Sequence, residues 1–451
     1  MAQGWRAAVM PALRAPLDYV RPRTVRIGVT GLARAGKTVL LTSLASTLLA
    51  PGALGGRIRR ARLASAGAET LPRFDQAAHL AALAADPPRW PDRTDAVSLL
   101  AFDLELRPPL KSLPPRSLRL ELLDYPGEWL LDLPLLDLSF ADWSQSVFTR
   151  LEQPGLLDAT RDFLAFARAL PAHATADEAL AAAGHRLYVA ALTRLRDTHG
   201  LVMLQPGRFL MPPPGAAPPW MGFFPLTGSG PLAELMRRRY DAYVTATREA
   251  LVSPLFGQID RLVVLADLLG ALHTGAAAFA DARAALAAAS AGLRWQGSWL
   301  ASIASLAALR LPPRVITRVA YAASKADHVS ERQRGNLAAL MGALTGQGSR
   351  GGDEPVGRSA SFAIASARCT EDFVWTLDGH PVSAVRGRLL GSDRLTRSYP
   401  GEVPDRPPGP DFWAHPFLEL PAFEPARLAR GVPVPNIGIE ALLGFLLEDL
   451  L

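Results

Sequence analysis

The sequence predicts an α/β fold, a doubly wound and mostly parallel sheet that carries a large, mainly helical insertion. Short apolar runs typical of strands recur along the chain, and segments with the apolar spacing of helices follow most of them. Polar and glycine-rich motifs end several of these runs, at the sheet edge where open α/β folds bind ligands. The strand-like runs cover residues 24–30, 97–107, 117–124, 261–267, 318–323 and 361–367.

The length of the chain indicates more than one structural unit. Its 451 residues exceed the size at which a single hydrophobic core stops growing. Hydrophobic residues make up 49% and charged residues 20%, which excludes a disordered chain. We expect a mainly helical insertion at residues 128–255, marked by a Pro/Gly-rich stretch at 206–231. The two parts of a nucleotide-binding core would flank it, at 1–127 and, with additional helices, at 256–451.

The charge pattern argues against a nucleic-acid-binding protein. The net charge is +6, but 42 acidic residues are spread among the 48 basic ones, so no specific nucleic acid binding is expected. A single cysteine, Cys369, excludes an internal disulfide and fits a reducing compartment. We identify neither a secretory signal nor an apolar run of the roughly 20 residues that span a bilayer. The sequence therefore predicts a cytoplasmic location.

Residues 31–38, GLARAGKT, match the phosphate-loop pattern G-x-x-x-x-G-K-[ST]. The loop follows an apolar strand and opens a helix, which is the context that the pattern requires. Its backbone N–H groups would surround the β-phosphate, the Lys37 amine would bridge the β- and γ-phosphates, and the Thr38 hydroxyl would bind Mg²⁺. The alternative is a chance glycine-rich turn. The predicted ligand is a purine nucleoside triphosphate with Mg²⁺, contacted by Gly31, Arg34, Ala35, Gly36, Lys37, Thr38 and Val39.

A second motif, Asp124-Tyr-Pro-Gly127, follows the strand-like run at 117–124. Asp124 would hold Mg²⁺ through water, and the Gly127 amide would contact the γ-phosphate. Asp267 is a rival, because it also ends a strand and precedes a glycine by three residues. The Tyr-Pro pair favours a non-helical loop after Asp124, whereas the residues after Asp267 continue into an apolar helix. We therefore favour Asp124 and interpret Asp267 as a helix N-cap or strand-end residue.

Three residues are candidates for catalysis: Lys37, Glu128 and Thr94. Glu128 could orient the attacking water, although its charge would repel the γ-phosphate; the alternative is a solvated carboxylate at a helix start. Thr94 could bind both Mg²⁺ and the γ-phosphate from a loop, or could be an inert turn residue. Arg34 or Arg93 could neutralise transition-state charge, and the alternative for each is a solvated surface arginine.

A base-recognition motif, Ser324-Lys325-Ala326-Asp327, follows the strand-like run at 318–323. It matches [NT]-K-x-D except at its serine. The Asp327 carboxylate can accept hydrogen bonds from the N1–H and the exocyclic amine of guanine, and adenine offers no matching donors. Lysine is rare in this chain, since only three of its 48 basic residues are lysine, and Lys325 is one of them. The alternative is an ordinary N-cap before a helix that begins near His328.

The pair Ser366-Ala367 closes the last strand-like run and could contact the base carbonyl oxygen through backbone amides. Its signal comes mainly from chain order. A phosphate loop, an Mg²⁺ aspartate, a base-reading motif and this pair follow one another at successive strand ends. The order favours GTP or GDP as the bound nucleotide.

These motifs resemble the YcjX-like family of bacterial P-loop GTPases. The resemblance covers nearly the whole chain and includes GLARAGKT, WPDRT, LDYPGEWLLDLPLL followed by ADWS, GRFLMPP, VVLADLLGAL and ASKADHV. It implies a Ras-like core with a large helical insertion, GTP or GDP binding, and a link to stress responses and inner-membrane-associated partners. The matching site positions are Gly36, Lys37, Thr38, Thr94, Asp124, Gly127, Lys325 and Asp327.

The predicted function is a Mg²⁺-dependent GTPase that acts as a regulatory switch, with an unidentified protein partner bound through the insertion. Two alternatives stay open, an ATP-driven P-loop ATPase and a nucleotide-stabilised scaffold that does not hydrolyse. A peripheral contact with the inner membrane face, through the N-terminal basic segment with Trp5, is a further alternative. Pro11 and Pro16 would interrupt an amphipathic helix in that segment.

Overall fold

The structure, a computed structural model, contains a large sheet and a small one. It describes residues 23–65, 71–92, 97–108, 114–212, 215, 217–249, 258–303, 316–347, 357–392, 394–414, 420–429 and 431–451, without side chains at 292–303 and 377. The strands are β1 (Arg23–Gly31), β2 (Ile58–Leu63), β3 (Ser98–Leu106), β4 (Arg116–Asp124), β5 (Arg261–Ala266), β6 (Arg318–Ala323), β7 (Arg358–Ala363), β8 (Thr370–Leu377), β9 (His380–Arg388) and β10 (Leu395–Ser398).

The helices lie on the faces of the large sheet and in a separate helical unit. They are α1 (Lys37–Leu49), α2 (Gln76–Leu83), α3 (Phe140–Leu151), α4 (Leu157–Ala169), α5 (Glu178–His199), α6 (Gly207–Leu210), α7 (Pro231–Thr247), α8 (Leu268–Thr274), α9 (Ala276–Ile303), α10 (Glu331–Leu344) and α11 (Ile439–Leu447). A 3₁₀ stretch, Gly127–Asp137, follows β4. Within the described ranges, no helix is both long and apolar enough to cross a membrane.

The large sheet has seven strands in the order β2-β3-β4-β1-β5-β6-β7. The five strands from β4 to β7 in this order are parallel, and β3 and β2 extend the sheet with antiparallel pairing. The prediction of a mostly parallel α/β sheet is therefore confirmed. Because the carboxyl ends of the parallel strands meet at one edge, the loops that follow β1, β4, β5, β6 and β7 meet there as well.

Separate apolar cores cover the two faces of this sheet. On one face α1 and α11 pack on strand residues that include Ile27 and Phe102. On the other face α8, α9, α10 and the 3₁₀ stretch pack on residues that include Leu262 and Val319. Strand β1 lies at the centre of the sheet and is buried from Ile27 to Gly31, and its Val25, Ile27 and Val29 belong to the first core.

Helices α3 to α7, which lie between β4 and β5 in the chain, have a core of their own. It is built largely from aromatic side chains that pack edge-to-face or stacked, with Trp143 at its centre in contact with Tyr188, Phe223 and Tyr240. Such rings each bury a large area and prefer these geometries. The helical unit is therefore packed independently of the sheet.

Two parts of the chain differ from the sequence-based expectation. The predicted C-terminal part of the core, 256–451, also contains the small antiparallel sheet of β8, β9 and β10, which the sequence patterns did not predict. Its first hairpin turns at Asp378 and Gly379, which both have positive φ, at 49° and 80°. An Asp-Gly turn between alternating strands is the expected signal for such a hairpin. The last predicted run, 361–367, is also displaced along the chain. Strand β7 begins at Arg358 and ends at Ala363, so Ser366 and Ala367 lie in the following loop.

Candidate nucleotide-binding site

The loop between β1 and α1 has the backbone of an anion-binding turn. Arg34 and Gly36 have positive φ, at 64° and 85°, and Gly36 precedes α1 without any side-chain cap on the helix. A helix start without a side-chain cap is typical of phosphate sites, where the anion accepts from the first N–H groups. Glycine is required at position 31, because a Cβ there would lie 2.8 Å from the Leu265 carbonyl oxygen on β5.

Asp124 ends β4 beside this loop and is almost fully buried. Its Oδ1 lies 3.1 Å from Lys37 Nζ, and Lys37 Nζ also donates a 2.6 Å hydrogen bond to the Tyr125 carbonyl oxygen. Burial raises the pKa of Asp124, while the Lys37 ammonium lowers it. Lys37 and Asp124 are therefore brought together at the start of α1.

The Asp124 carboxylate fits a role in holding Mg²⁺. Its Oδ2 is buried and accepts no hydrogen bond from any described residue. A buried carboxylate oxygen without a donor is costly unless a cation or a cation-bound water satisfies it. Thr38 stands one residue after Lys37, in the first turn of α1. Asp124 and Thr38 are the described side chains that could hold the ion, and Thr94 lies outside the described residues.

The rival aspartate, Asp267, has other partners. Its Oδ1 accepts a 2.8 Å hydrogen bond from the Gly270 amide as the N-cap of α8, and its Oδ2 lies 2.5 Å from Lys325 Nζ. The interpretation of Asp267 as a helix N-cap is confirmed. It also fixes the Lys325 side chain at the end of β6.

The residues after Asp124 pack directly on the phosphate loop. A Cβ at Gly127 would lie 1.6 Å from the Gly31 carbonyl oxygen, so only glycine allows this approach. Glu128 follows with 6% of its surface exposed. The alternative of a solvated carboxylate at this position is wrong, because the 3₁₀ stretch is covered by α9 and by the helical unit.

A cavity of about 350 Å³ opens beside the second half of the phosphate loop. Loops after β6 and β7 form its other walls. It brings together most of the residues predicted to contact the base or the helix start, namely Ala35, Gly36, Val39, Ser324, Lys325, Asp327, Ser366 and Ala367. The cavity is also lined by residues that the sequence did not predict, namely Trp90, Leu390, Ala422 and Phe423. Trp90 Nε1 donates a 2.9 Å hydrogen bond to the Phe423 carbonyl oxygen, which closes one side.

Asp327 is buried at this cavity and is oriented by the loop after β7. Its Oδ2 accepts hydrogen bonds from the Cys369 amide at 2.7 Å and from the Cys369 thiol at 2.9 Å. Helix α10 begins later, at Glu331, with Ser330 as its N-cap. The alternative of Asp327 as the cap of that helix is therefore wrong. The Ser324 hydroxyl bonds to the Ala266 carbonyl oxygen on β5 at 3.3 Å.

Asp327 lies beside two other side chains of types that bind metals. One donor atom from each of Asp327, His328 and Cys369 lies within 4.8 Å of the others. Burial lowers the pKa of His328 and raises that of the Cys369 thiol, so both groups favour their neutral forms. The thiol donates its hydrogen to Asp327, and we interpret this contact as one that orients the carboxylate.

The fold is that of an α/β protein in which the glycine-rich loop 31–38 lies at the carboxyl edge of a mostly parallel sheet. The chain belongs to the YcjX-like family (DUF463), whose model matches residues 25–451. It is 31% identical to the Ras-like GTPase YcjX of Escherichia coli, over 95% of this chain and 96% of that protein. It is 29% identical to the Ras-like GTPase YcjX of Shewanella oneidensis, over 96% of each chain. The resemblance found in the sequence motifs is thereby confirmed.

Proposed function

We propose that this chain is a Mg²⁺-dependent GTPase with a Ras-like P-loop core. The observation that carries the proposal is that one loop, residues 31–38, joins two sets of groups from other strand ends. Its Lys37 pairs with Asp124 after β4, and its Gly36 shares a cavity with Asp327 after β6. The names of the two relatives support the same activity.

The phosphates would bind at the N-terminus of α1. Gly31 and Gly36 allow the loop to wrap around the β-phosphate, and the N–H groups from Arg34 to Thr38 donate to its oxygens. Lys37 exchanges its contact with the Tyr125 carbonyl for the β- and γ-phosphate oxygens. Val39 and Ala35 cover the nucleotide from the side of the base cavity.

Thr38 and Asp124 would hold Mg²⁺, with Thr94 as a third candidate ligand. When bound, the ion neutralises charge on the β- and γ-phosphates. The Gly127 amide, three residues after Asp124, would contact the γ-phosphate when residues 125–127 move away from Gly31. Glu128 is the candidate for orienting the attacking water, and Lys37 is the candidate that stabilises the transferred phosphoryl group.

The guanine base would occupy the cavity in front of Asp327. With Oδ2 bound to the Cys369 amide, the carboxylate is fixed in the orientation in which it can accept from guanine N1–H and the exocyclic amine. Lys325, Ser366 and Ala367 line the same cavity. The Lys325 stem would lie along the base, and the loop with Ser366 and Ala367 would contact the base carbonyl oxygen. Ser324 anchors the motif to β5.

In the proposed division, residues 1–127 and 256–451 form the GTPase core and residues 128–255 form the insertion. The insertion would bind a protein partner, and the nucleotide state would regulate that contact as a switch in a stress response. We propose a cytoplasmic location, with peripheral contact to the inner membrane face as an alternative.

Nucleotide titration tests the proposal directly. Nucleotide-free protein is titrated with fluorescent GTP and ATP analogues and Mg²⁺, alongside Lys37→Ala, Asp327→Ala and the exposed control Asp405→Ala. We expect GTP to bind at least about tenfold more tightly than ATP, because the base donors are worth at least ~1.4 kcal/mol. Lys37→Ala abolishes binding, Asp327→Ala removes only the preference, and the control changes neither.

Two alternative functions predict other outcomes. Equal affinity for ATP and GTP, with no effect of Asp327→Ala, would favour the ATPase. Tight GTP binding without hydrolysis would favour the nucleotide-stabilised scaffold.

A further inference from the structure

A second cavity, of about 210 Å³, lies where the helical unit meets the phosphate loop. One wall is the first half of the loop, at Leu32, Ala33 and Arg34. The opposite wall includes Arg196 and Gly200, at the end of α5. The base cavity borders the second half of the loop instead. Lys325 lines both cavities. The helical unit therefore reaches the first half of the loop, next to the base cavity.

The Arg196 side chain is an ordered cation at this contact. Its Nε and Nη2 donate hydrogen bonds of 2.9 and 3.2 Å to the two carboxylate oxygens of Asp197. The Asp197 carboxylate also lies 3.4 Å from Nη2 of Arg34 in the phosphate loop. Only 20% of the Arg196 side chain is exposed, against 61% for Arg34. Asp197 thus holds the better-buried guanidinium against the loop.

Arg196 also lies within electrostatic reach of Glu128. The hydrogen bond that Arg196 donates to Asp197 raises the pKa of Arg196, and the Glu128 carboxylate adds to this effect. Glu128 follows Gly127, which packs on Gly31 of the phosphate loop. The γ-phosphate end of a bound nucleotide therefore belongs between the first half of the loop and Glu128. A carboxylate alone at this place would repel the γ-phosphate, and the Arg196 guanidinium offsets that repulsion.

We propose that Arg196 is a catalytic residue for GTP hydrolysis, supplied to the phosphates by the helical unit of the same chain. The inference rests on the proposed GTPase function. In the reaction, the water oxygen forms a bond to the γ-phosphorus while the bond from this phosphorus to the β–γ bridging oxygen breaks. The electron pair stays on the GDP oxygen, and the water proton passes to the released phosphate. Negative charge grows on the bridging oxygen, where a planar guanidinium donor neutralises it.

Single-turnover hydrolysis separates this role from nucleotide binding. The variants are Arg196→Ala and Arg196→Lys, and the matched control is Arg194→Ala. Arg194 is on the same helix but pairs with Asp162 of α4, at 2.8 Å, with half of its side chain exposed. We expect Arg196→Ala to keep its GTP affinity within about threefold while hydrolysis slows by about 10³-fold or more. Lysine restores little of the rate, because it lacks the planar fork, and the control hydrolyses like the wild type.

A second readout is the complex of GDP with aluminium fluoride, which mimics the transferred phosphoryl group. The wild type and Arg194→Ala form it, and Arg196→Ala binds GDP but does not. Wild-type hydrolysis rates in Arg196→Ala, or equal losses in both alanine variants, overturn the assignment. A wild type that binds GTP but neither hydrolyses it nor forms the complex also overturns the assignment, and leaves GTP binding standing. Loss of GTP binding in the wild type would instead contradict the proposed function itself.

Discussion

The Tyr243 hydroxyl donates a 2.5 Å hydrogen bond to Oδ2 of Asp132, which joins helix α7 to the 3₁₀ stretch after the Asp124 motif. The Gly207 amide donates to the other carboxylate oxygen, at 2.7 Å. Asp132 is fully buried. One carboxylate of the 3₁₀ stretch is therefore bonded to both α6 and α7 of the helical unit.

This carboxylate makes the stability of the protein depend on pH. Burial raises the pKa of Asp132 to about 6, although the Tyr243 hydrogen bond opposes the shift. The folded protein therefore binds the Asp132 proton more tightly than the unfolded chain does. This contribution to the free energy of unfolding is complete below about pH 4 and is lost as the pH rises through about 6. Relative to Asp132→Asn, the wild type should lose about 2 kcal/mol of unfolding free energy between pH 4 and pH 7. Urea unfolding of both proteins across this range measures the difference, and parallel pH profiles would refute the assignment.

Gly207 of the helical unit packs directly on the backbone of the 3₁₀ stretch. A Cβ at position 207 would lie 1.9 Å from the Glu128 carbonyl oxygen, so Gly207→Ala must displace the backbone of Glu128. We expect a loss of about 2–3 kcal/mol in unfolding free energy, the upper range for overpacking, and slower GTP hydrolysis. Gly155→Ala is the control, since a Cβ there meets nothing within 4 Å. If Gly207→Ala lowers the unfolding free energy no more than Gly155→Ala does, the 3₁₀ stretch accommodates the added methyl group and the prediction is wrong.

Asp327→Asn should change the nucleotide preference rather than abolish binding. The asparagine oxygen can keep the hydrogen bond from the Cys369 amide, which leaves the asparagine NH₂ group toward the base. That donor opposes the guanine amine and suits xanthine, which has a carbonyl oxygen at the same ring position. We expect GTP affinity to fall by about tenfold or more and XTP affinity to rise. Competition titrations with both nucleotides measure the exchange, with Asp405→Asn as the exposed control; a parallel loss of both affinities would argue against this orientation.

The sequence was sufficient for the parts of the site that depend on local backbone requirements. The phosphate loop needs glycine where Leu265 approaches and where φ is positive, so its pattern is readable from residues 31–38 alone. Asp124 and Asp327 are predicted as site residues because each stands at or just after the end of a buried strand, and their roles stay predictions.

Contacts between distant segments left no comparable signal. Arg196 resembles any other arginine on an exposed helix until α5 is packed against the loop, and Trp90 meets Phe423 only in the folded chain. The small sheet differs in this respect, since its first hairpin has a local turn signal at Asp378 and Gly379.

The end of the chain should stabilise the central sheet through a buried charge. Arg261 at the start of β5 is 1% exposed and donates hydrogen bonds of 2.7 and 2.9 Å to the two carboxylate oxygens of Asp449. The hydrogen bond from Arg261 lowers the pKa of Asp449 to about 2, so its contribution is present above about pH 4 and is lost as the pH falls through about 2.

Asp449→Ala would leave the Arg261 guanidinium buried without its carboxylate. Because Asp449 itself is 41% exposed, we expect about 2 kcal/mol of destabilisation, less than for a fully buried pair. Glu440→Ala, an exposed change on α11, is the control. Denaturant unfolding at pH 7 compares the two variants with the wild type. If Asp449→Ala unfolds at the same denaturant concentration as the wild type, water replaces the carboxylate and the prediction is wrong. Arg261→Met added to Asp449→Ala separates the two cases: it stabilises the variant if the guanidinium is left unpaired, and it is neutral if water satisfies it.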